Sequence, residues 1–151
     1  MIDIVLAIGL VISTVIGMEC IAWTVHKYLM HGPLWFIHKT HHQARKGLFE
    51  LNDIFGIFFA IIAIGCFVQG ITTDNSLMIS IGVGITLYGF LYFFAHDIIV
   101  HQRVKMFAKS TNSYILALKK AHRIHHKTLT KKNAEEFGFL FVKKEYIQRS
   151  K

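Results

Sequence analysis

The stretch that decides the fold covers residues 4–31 and reads IVLAIGLVISTVIGMECIAWTVHKYLMH. It is almost wholly apolar from Ile4 to Val25, and a helix needs about 17–25 such residues to cross a bilayer. The run is too long for a signal-peptide core and has no basic residue before it, so we expect a retained membrane helix. His26 and His31 stand directly at its end. The sequence therefore predicts a membrane span, about 4–25, that carries two imidazole groups at its terminus.

Two further apolar runs have the length of membrane helices. The second span covers about 54–72 and follows Asp53, a predicted helix N-cap. The third covers about 77–95 and leads directly to His96 and His101. We predict three transmembrane helices, and a fourth only if one of the charged regions that follow the first and third spans enters the bilayer.

The remainder is predicted to form a helical cap outside the bilayer. This cap comprises residues 26–53 and 96–151, and residues 113–126 are predicted to be one of its helices. The fold class is therefore an all-α integral membrane protein, in which a bundle of three transmembrane helices carries a histidine-rich cap with a dimetal site. We expect residues 1–151 to form a single membrane domain.

The distribution of charge predicts the orientation. Three crossings place both parts of the cap on one side of the membrane, and all 17 Lys and Arg residues lie in them. Because cationic residues accumulate on the cytoplasmic side, we predict that the histidines and the C-terminus are cytoplasmic. A net charge of +8 would suggest nucleic-acid binding in a soluble protein. In a chain that is 53% hydrophobic, the membrane explanation takes precedence, and no nucleic-acid partner is expected.

All ten histidines of the chain fall into four short clusters with two repeated spacings, H-x4-H and H-x2-H-H. Imidazole is the commonest metal-binding side chain, and ten nitrogen donors exceed the capacity of one ion. The sequence thus predicts a site for two metal ions, which by ligand type suits Fe, Zn, Cu or Ni. The predicted ligands are His26, His31, His38, His41, His42, His96, His101, His122, His125 and His126.

The spacings make predictions about local geometry. Positions three and four apart share one face of an α-helix, so each H-x2-H-H triplet, at 38–42 and at 122–126, is predicted to form one stripe. Positions five apart differ by about 140° on an α-helix. For His26 and His31, either the following Gly-Pro unwinds the last turn or the pair straddles two metals. For His96 and His101, either a π-bulge brings the pair together or the two bind different metals.

Beyond the metal ligands, the sequence identifies no catalytic residue but suggests three candidates for the ligands' surroundings. Glu19 lies within the first span, where a carboxylate is costly; it is predicted to support a ligand or line the substrate pocket, unless it reaches water near the interface. Asp97 could accept the second N–H of a histidine from another cluster, or be a surface carboxylate. Asn52 could bind a metal ion through a bridging water molecule. Glu135 and Glu136 are expected to balance Lys131 and Lys132.

The order of these clusters resembles the membrane-bound fatty-acid hydroxylase/sterol desaturase superfamily, and within it the bacterial β-carotene 3-hydroxylases. The resemblance covers nearly the whole chain. It rests on HKYLMHG (26–32), LW (34–35), HKTHH (38–42), ELND (50–53), YFFAHD (92–97), HQR (101–103), AHRIHH (121–126) and FG (137–138).

What the resemblance implies is a non-haem di-iron oxygenase of the bacterial inner membrane. It would hydroxylate carbon 3 of each β-ionone ring of β-carotene, giving β-cryptoxanthin and then zeaxanthin. The cofactors would be two iron ions, with zinc as a substitute in recombinant samples, and dioxygen the co-substrate. Since the chain shows no dinucleotide-binding fingerprint, two electrons per turnover would come from outside. The expected donors are ferredoxin and ferredoxin reductase, and the expected carotenoid substrate lies in the lipid bilayer.

Two alternatives stay open at this point. The first is another carotenoid ring oxygenase, or a lipid hydroxylase or desaturase, of the same superfamily. The second is a metal-binding membrane protein without catalysis, such as a carrier. A carrier needs polar groups through the membrane, and the spans contain few.

Overall fold

The computed structural model describes residues 3–43, 47 and 49–147, and all ten histidines lie within these ranges. The regular structure in the described ranges is helical. Its elements are α1 (Ile4–Thr24), a π-helix (Val25–Met30), α2 (Trp35–His38), a 3-10 turn (Leu51–Asp53), α3 (Ile54–Thr72), α4 (Ser76–Tyr92), a second π-helix (Phe93–Val100), α5 (Ser113–His126) and a 3-10 turn (Lys144–Tyr146).

Three helices are long and apolar enough to cross a membrane: Ile4–Met30, Leu51–Thr72 and Ser76–Val100. These confirm the three predicted spans, and no further helix of that kind occurs in the described part of the chain. The first and third helices extend past the predicted ends because each continues into a π-helix. The chain is therefore an all-α membrane protein.

The chain divides into two compact units, and the first is the helical unit, residues 1–21 and 53–90. Its helices approach closely where they carry glycine: a Cβ at Gly84 would lie 2.5 Å from the Cβ of Thr14, and one at Gly70 would lie 2.6 Å from the side chain of Ile79. Small residues permit such close backbone contact in membrane helices. In this unit the Tyr88 hydroxyl donates a hydrogen bond of 2.8 Å to the carboxylate of buried Glu19.

The predicted capping role of Asp53 is wrong in detail. Asp53 occupies the N-cap position of α3, but its side chain makes no capping hydrogen bond. Its backbone has φ −64° and ψ −17° because the 3-10 turn Leu51–Asp53 feeds directly into the helix. A capping side chain needs the extended backbone of a residue outside the helix.

The second unit is the histidine unit, residues 22–52 and 91–151, and it contains all ten histidines. Helix α5 matches the predicted helix, and its N-cap is Asn112, whose side chain accepts hydrogen bonds from the backbone N–H groups of Tyr114 and Ile115. Its buried face combines Ala117 and Leu118 with histidines, while its opposite face is polar. The helix thus exposes its charges and turns its imidazoles inward.

Candidate metal centre

In both H-x4-H pairs the first histidine lies on a π-helix and the second is the C-cap of that helix. The backbone N–H of His31 donates to the carbonyl of His26 at 3.0 Å, and that of His101 to His96 at 2.8 Å, in the i to i+5 pattern of this helix. The wider turn places residues five apart on one side, which an α-helix does not. The π-bulge predicted for His96 and His101 is confirmed. The prediction for His26 and His31 missed the same device, which also brings that pair together.

Glycine ends the first π-helix. A Cβ at Gly32 would collide with the backbone oxygen of Tyr28, so a side chain does not fit at this position. The chain then turns through 31–34 into the short helix α2. This turn of the chain brings His38, on α2, close to His31 at the end of the first membrane helix.

The predicted stripe at 38–42 is wrong. Helix α2 ends at His38, and His41 and His42 lie in the turns that follow it. The triplet at 122–126 does lie on one helix, α5, but His122 and His125 belong to different clusters in space. Side chains three residues apart on a helix point in directions that differ by about 60°, so the rings of His122 and His125 can belong to two different histidine groups.

Eight histidines form two compact groups, in each of which one ring nitrogen per residue lies within 4.8 Å of the others. The first histidine group is His26, His31, His38 and His125, and the second is His41, His96, His101 and His122. All eight are buried except His101, which is half-buried. Such groups have the composition and spacing of a metal site, and two of them match the predicted dimetal site.

The other two histidines adjoin these groups. The Nε2 of His42 lies 3.1 Å from that of His38, in the first group. The ring of His126 lies 4.3 Å from that of His122, in the second group, and its buried Nε2 has no hydrogen-bond partner among the described residues. The His42 and His126 rings stack on each other at 4.4 Å. Each group is thereby extended to five imidazoles, and the stack joins them.

Five of the ten imidazoles are oriented by a hydrogen bond from Nδ1 to a carbonyl or carboxylate oxygen. An oxygen that can only accept faces Nδ1, which must therefore carry the proton and leave the Nε2 lone pair free. Metal-binding histidines use this arrangement. The donor–acceptor pairs are His26 with the Phe137 carbonyl (2.9 Å), His38 with Asn52 (2.7 Å), His41 with Glu50 (2.9 Å), His42 with the Thr128 carbonyl (2.9 Å) and His125 with the Glu135 carbonyl (2.7 Å).

The free Nε2 atoms converge within each group. In the first, Nε2 of His26 lies 3.1 Å from that of His38. Neither atom has a proton to share, since both rings donate through Nδ1, so the two lone pairs would repel without a cation between them. Nitrogens that bind one ion at about 2.1 Å and at right angles lie about 3 Å apart. The second group repeats this spacing, with 3.0 Å between Nε2 of His41 and His96.

Burial keeps these imidazoles neutral. Desolvation lowers the pKa of His38 to about 2, that of His125 to about 3 and that of His42 to about 4. The hydrogen bond to Asn52 opposes this effect at His38, and neighbouring histidines add to it. Desolvation likewise lowers the pKa of His122 and His126. A neutral imidazole is the form that binds metal, so the donor set fits a pair of cations.

The three suggested supporting residues have different surroundings. The Oδ1 of Asn52 accepts a hydrogen bond from Nδ1 of His38, and its predicted contact with a metal through water stays a prediction. Asp97 is buried and therefore not a surface carboxylate. Its Oδ2 lies 3.5 Å from Nδ1 of the adjacent His96, its Oδ1 pairs with Arg103, and the predicted contact with a histidine of another cluster stays a prediction. Glu19 binds Tyr88 in the helical unit, and its predicted link to the centre stays a prediction.

Several supporting groups were missed by the sequence reasoning. Glu50 follows His41 by nine residues, and an acidic residue so near a histidine cluster is a signal from which this partner could have been predicted. The backbone carbonyls of Thr128, Glu135 and Phe137 could not be predicted as partners from the sequence, because every residue has a carbonyl. Glu136 was expected to balance the lysines at 131 and 132, but it pairs with Lys143 at 2.6 Å.

A small cavity of about 10 Å³ borders the second histidine group. It is lined by His96 and His122 and by mainly apolar side chains, among them Leu118 and Phe139. That volume is close to the space that one water-sized molecule requires. The centre therefore has a small, mostly apolar space beside it.

Comparison with known proteins places the chain in a family. The sequence pattern of the fatty acid hydroxylase family matches residues 11–148. The chain is 43% identical over 135 residues to a beta-carotene hydroxylase of Pseudescherichia vulneris, covering 89% of this chain and 76% of that protein. It is 45% identical over 133 residues to one of Pantoea ananas, covering 88% and 75%. A chloroplastic beta-carotene 3-hydroxylase 2 of Arabidopsis thaliana is 37% identical over 121 residues, covering 78% and 40%. No solved structure matches the chain. The chain therefore belongs to the fatty acid hydroxylase family, alongside the bacterial beta-carotene hydroxylases that it resembles.

Proposed function

We propose that this protein is a di-iron oxygenase that hydroxylates carbon 3 of the β-ionone rings of β-carotene, giving β-cryptoxanthin and then zeaxanthin. The observation that carries the proposal is the pair of adjacent, buried histidine groups whose Nε2 atoms converge. The substrate is taken from the names of the bacterial relatives. Two electrons and one O2 are used per turnover.

All ten histidines are proposed as metal ligands, five to each ion. His42 adds to the first group through its contact with His38, and His126 to the second through its contact with His122. Bound iron supplies the reaction with O2 that a ring C–H bond requires, which no amino-acid side chain can provide. The chain's own contribution is to orient the imidazoles through their Nδ1 hydrogen bonds and to exclude water from them.

The surroundings of the centre suit apolar reactants. β-Carotene has no polar group and dissolves in the bilayer that the three spans cross. The cavity beside His96 and His122 has a mostly apolar lining and the size of one small molecule, which favours dioxygen. We propose that O2 occupies this space while the ring approaches from the membrane.

Helix α5 offers a route for electrons. Lys120 and Arg123 are exposed on the helix whose His122 and His125 are buried, and Lys127 is exposed at its C-cap. A cationic surface attracts an acidic partner, so we propose that ferredoxin, reduced by ferredoxin reductase, binds α5. Charge reversal with Arg123→Glu and Lys127→Glu should raise the KM for ferredoxin at low ionic strength and leave metal content unchanged. An unaltered KM would refute docking on this helix.

The positive charge also supports an orientation. Since all Lys and Arg residues lie in the predicted cap, we propose that the centre and the C-terminus face the cytoplasm of a bacterial inner membrane. A C-terminal alkaline phosphatase fusion should then be inactive and a green fluorescent protein fusion bright. The reverse pattern would overturn the orientation.

Expression in a β-carotene-producing bacterium tests the function. Pigment analysis should show conversion to zeaxanthin. His125→Ala should abolish it, whereas Ser113→Ala, at the other end of the same helix, should not. A keto product would indicate a ring ketolase instead, and unchanged pigment would favour a lipid substrate or a binding protein.

The identity of the metal is tested separately. Anaerobic loading of the purified protein with Fe²⁺ should give active enzyme, and loading with Zn²⁺ should give an inactive one, because zinc has no redox chemistry.

A further inference from the structure

We propose that residues 135–139 form a strap that positions both histidine groups, and that a latch of Glu136, Lys143 and Tyr146 holds this strap closed. The strap follows the last histidine and supplies no metal ligand. The inference rests on the metal centre of the proposed function, and it adds a requirement for side chains that are not themselves ligands. Metal retention should therefore depend on residues 10 to 20 positions beyond the last histidine.

Every second residue of the strap engages the centre. The Glu135 carbonyl accepts a hydrogen bond from Nδ1 of His125 at 2.7 Å, and the Phe137 carbonyl accepts one from Nδ1 of His26 at 2.9 Å. The Phe139 ring lies parallel to the ring of His26, 4.9 Å away. These three contacts set the orientation of two ligands of the first group.

The phenylalanine rings extend this contact over both groups. The Phe137 ring meets three members of the first group edge-on, with centroid distances of 5.4 Å to His26, 5.2 Å to His31 and 5.4 Å to His125. Phe139 also lies 5.5 Å from His96 of the second group. One short segment thus packs against ligands of both proposed ions and shields them from water.

The residue between the two accepting carbonyls is held in an unfavourable conformation. Glu136 has φ +56°, in the left-handed region that residues with a side chain rarely adopt. Its carboxylate accepts hydrogen bonds from the Lys143 ammonium at 2.6 Å and the Tyr146 hydroxyl at 2.9 Å. These contacts bind the strap to the 3-10 turn at 144–146 and offset the backbone cost.

The latch is in turn anchored on α5. The Lys120 ammonium lies 5.1 Å from the centre of the Tyr146 ring, a cation–π contact. The Tyr114 hydroxyl donates a hydrogen bond to the carbonyl of Leu140, immediately after the strap. Because α5 also carries three of the histidines, the strap and the ligands are fixed to the same helix.

The strap contacts the ligands mainly through carbonyls and packing, so the latch is where a side-chain change can open it. Glu136→Gln keeps the size of the side chain and an acceptor for Tyr146 but loses the charge that pairs with Lys143. Hydrogen bonds to charged groups are strong enough that their loss should speed metal release by about tenfold. Glu145→Gln is the matched control, an identical change at an exposed position nine residues on.

The experiment measures Zn²⁺ release from the loaded, full-length protein in nanodiscs, using an excess of a chromophoric chelator. Zn²⁺ release should be faster than in wild type in three variants: Glu136→Gln, Lys143→Met and Tyr146→Phe. Lys143→Arg keeps the positive charge, so its release rate should be close to that of wild type. The absorption spectrum of the Co²⁺-loaded protein should change in Phe139→Leu, where the residue is 7% exposed, and not in Phe141→Leu, where the residue is 68% exposed. Unfolding temperatures, measured in parallel, should stay near the wild-type value.

Three results would refute the proposal of the strap. The first is a wild-type rate of Zn²⁺ release in Glu136→Gln, and the second is an equally faster release in Glu145→Gln. The third is faster release only in variants whose unfolding temperature has fallen. The release assay uses no carotenoid and no electron donor. Failure of the wild-type protein to form zeaxanthin would therefore refute the proposed function while leaving the result on the strap intact.

Discussion

Asn52 accepts a hydrogen bond of 2.7 Å from Nδ1 of His38, and both side chains are buried. This contact keeps the His38 proton on Nδ1 and points the Nε2 lone pair into the first histidine group. Asn52→Leu removes the acceptor but retains a side chain of similar size. The buried N–H of His38 then has no partner in this position, and the ring gains freedom to turn.

The magnitude follows from the local geometry. Leaving a buried donor unsatisfied costs about 1–3 kcal/mol. Loss of such an outer hydrogen bond lowers the metal affinity of a site by about 10–100-fold, which is the same range of free energy. Nε2 of His38 lies 3.1 Å from Nε2 of both His26 and His42, so its displacement disturbs three donors of one group. Asn52→Asp supplies an acceptor again and should restore affinity.

The assay is a competitive Zn²⁺ titration of the purified protein against a chromophoric chelator. Asn52→Leu should weaken one of two bound ions by about 10–100-fold and leave the other unchanged. Asn75→Leu is the matched control: Asn75 accepts hydrogen bonds from backbone N–H groups at the start of α4, so its loss should cost about 1 kcal/mol of stability without touching metal affinity. An affinity within twofold of wild type for both ions in Asn52→Leu would refute the reasoning.

Three further predictions test the centre and the helical unit. The pKa of His42 is about 4 in the folded protein and about 6.5 in an unfolded chain, so below pH 6.5 protons bind the unfolded chain first. The metal-free protein should therefore lose stability as the pH falls from about 6.5 to about 4, and a flat profile of unfolding temperature between pH 8 and pH 4 would contradict this. Glu50→Gln replaces a charge-assisted hydrogen bond to a ligand of the second group by a neutral one, and should weaken only that group's ion by about tenfold in the Zn²⁺ titration. Gly84→Val places a side chain against α1 and should cost about 1–3 kcal/mol in unfolding experiments, whereas Gly89→Val, with open space around the added Cβ, should cost less.

Local patterns predicted the membrane spans well. The second predicted span coincides with α3, because a continuous apolar run has no stable alternative to a helix in lipid. The same reasoning ended the first and third spans too early, since the π-helices continue past the apolar runs into residues that carry histidines. The helix at 113–126 was also predicted, and here the sequence signal was its apolar segment between polar ends.

The sequence by itself determined which residues are available to the centre and how they are spaced: two repeated histidine spacings, and three apolar runs that predict all four clusters on one side of a membrane. Only the tertiary structure decided how the ten imidazoles divide. His38 and His41 stand three residues apart and enter different groups, because α2 ends between them and the chain turns. The acceptor for His26 is the carbonyl of Phe137, 111 residues away. Every residue offers the same carbonyl, so only the folded path of the chain selects the one that meets an imidazole.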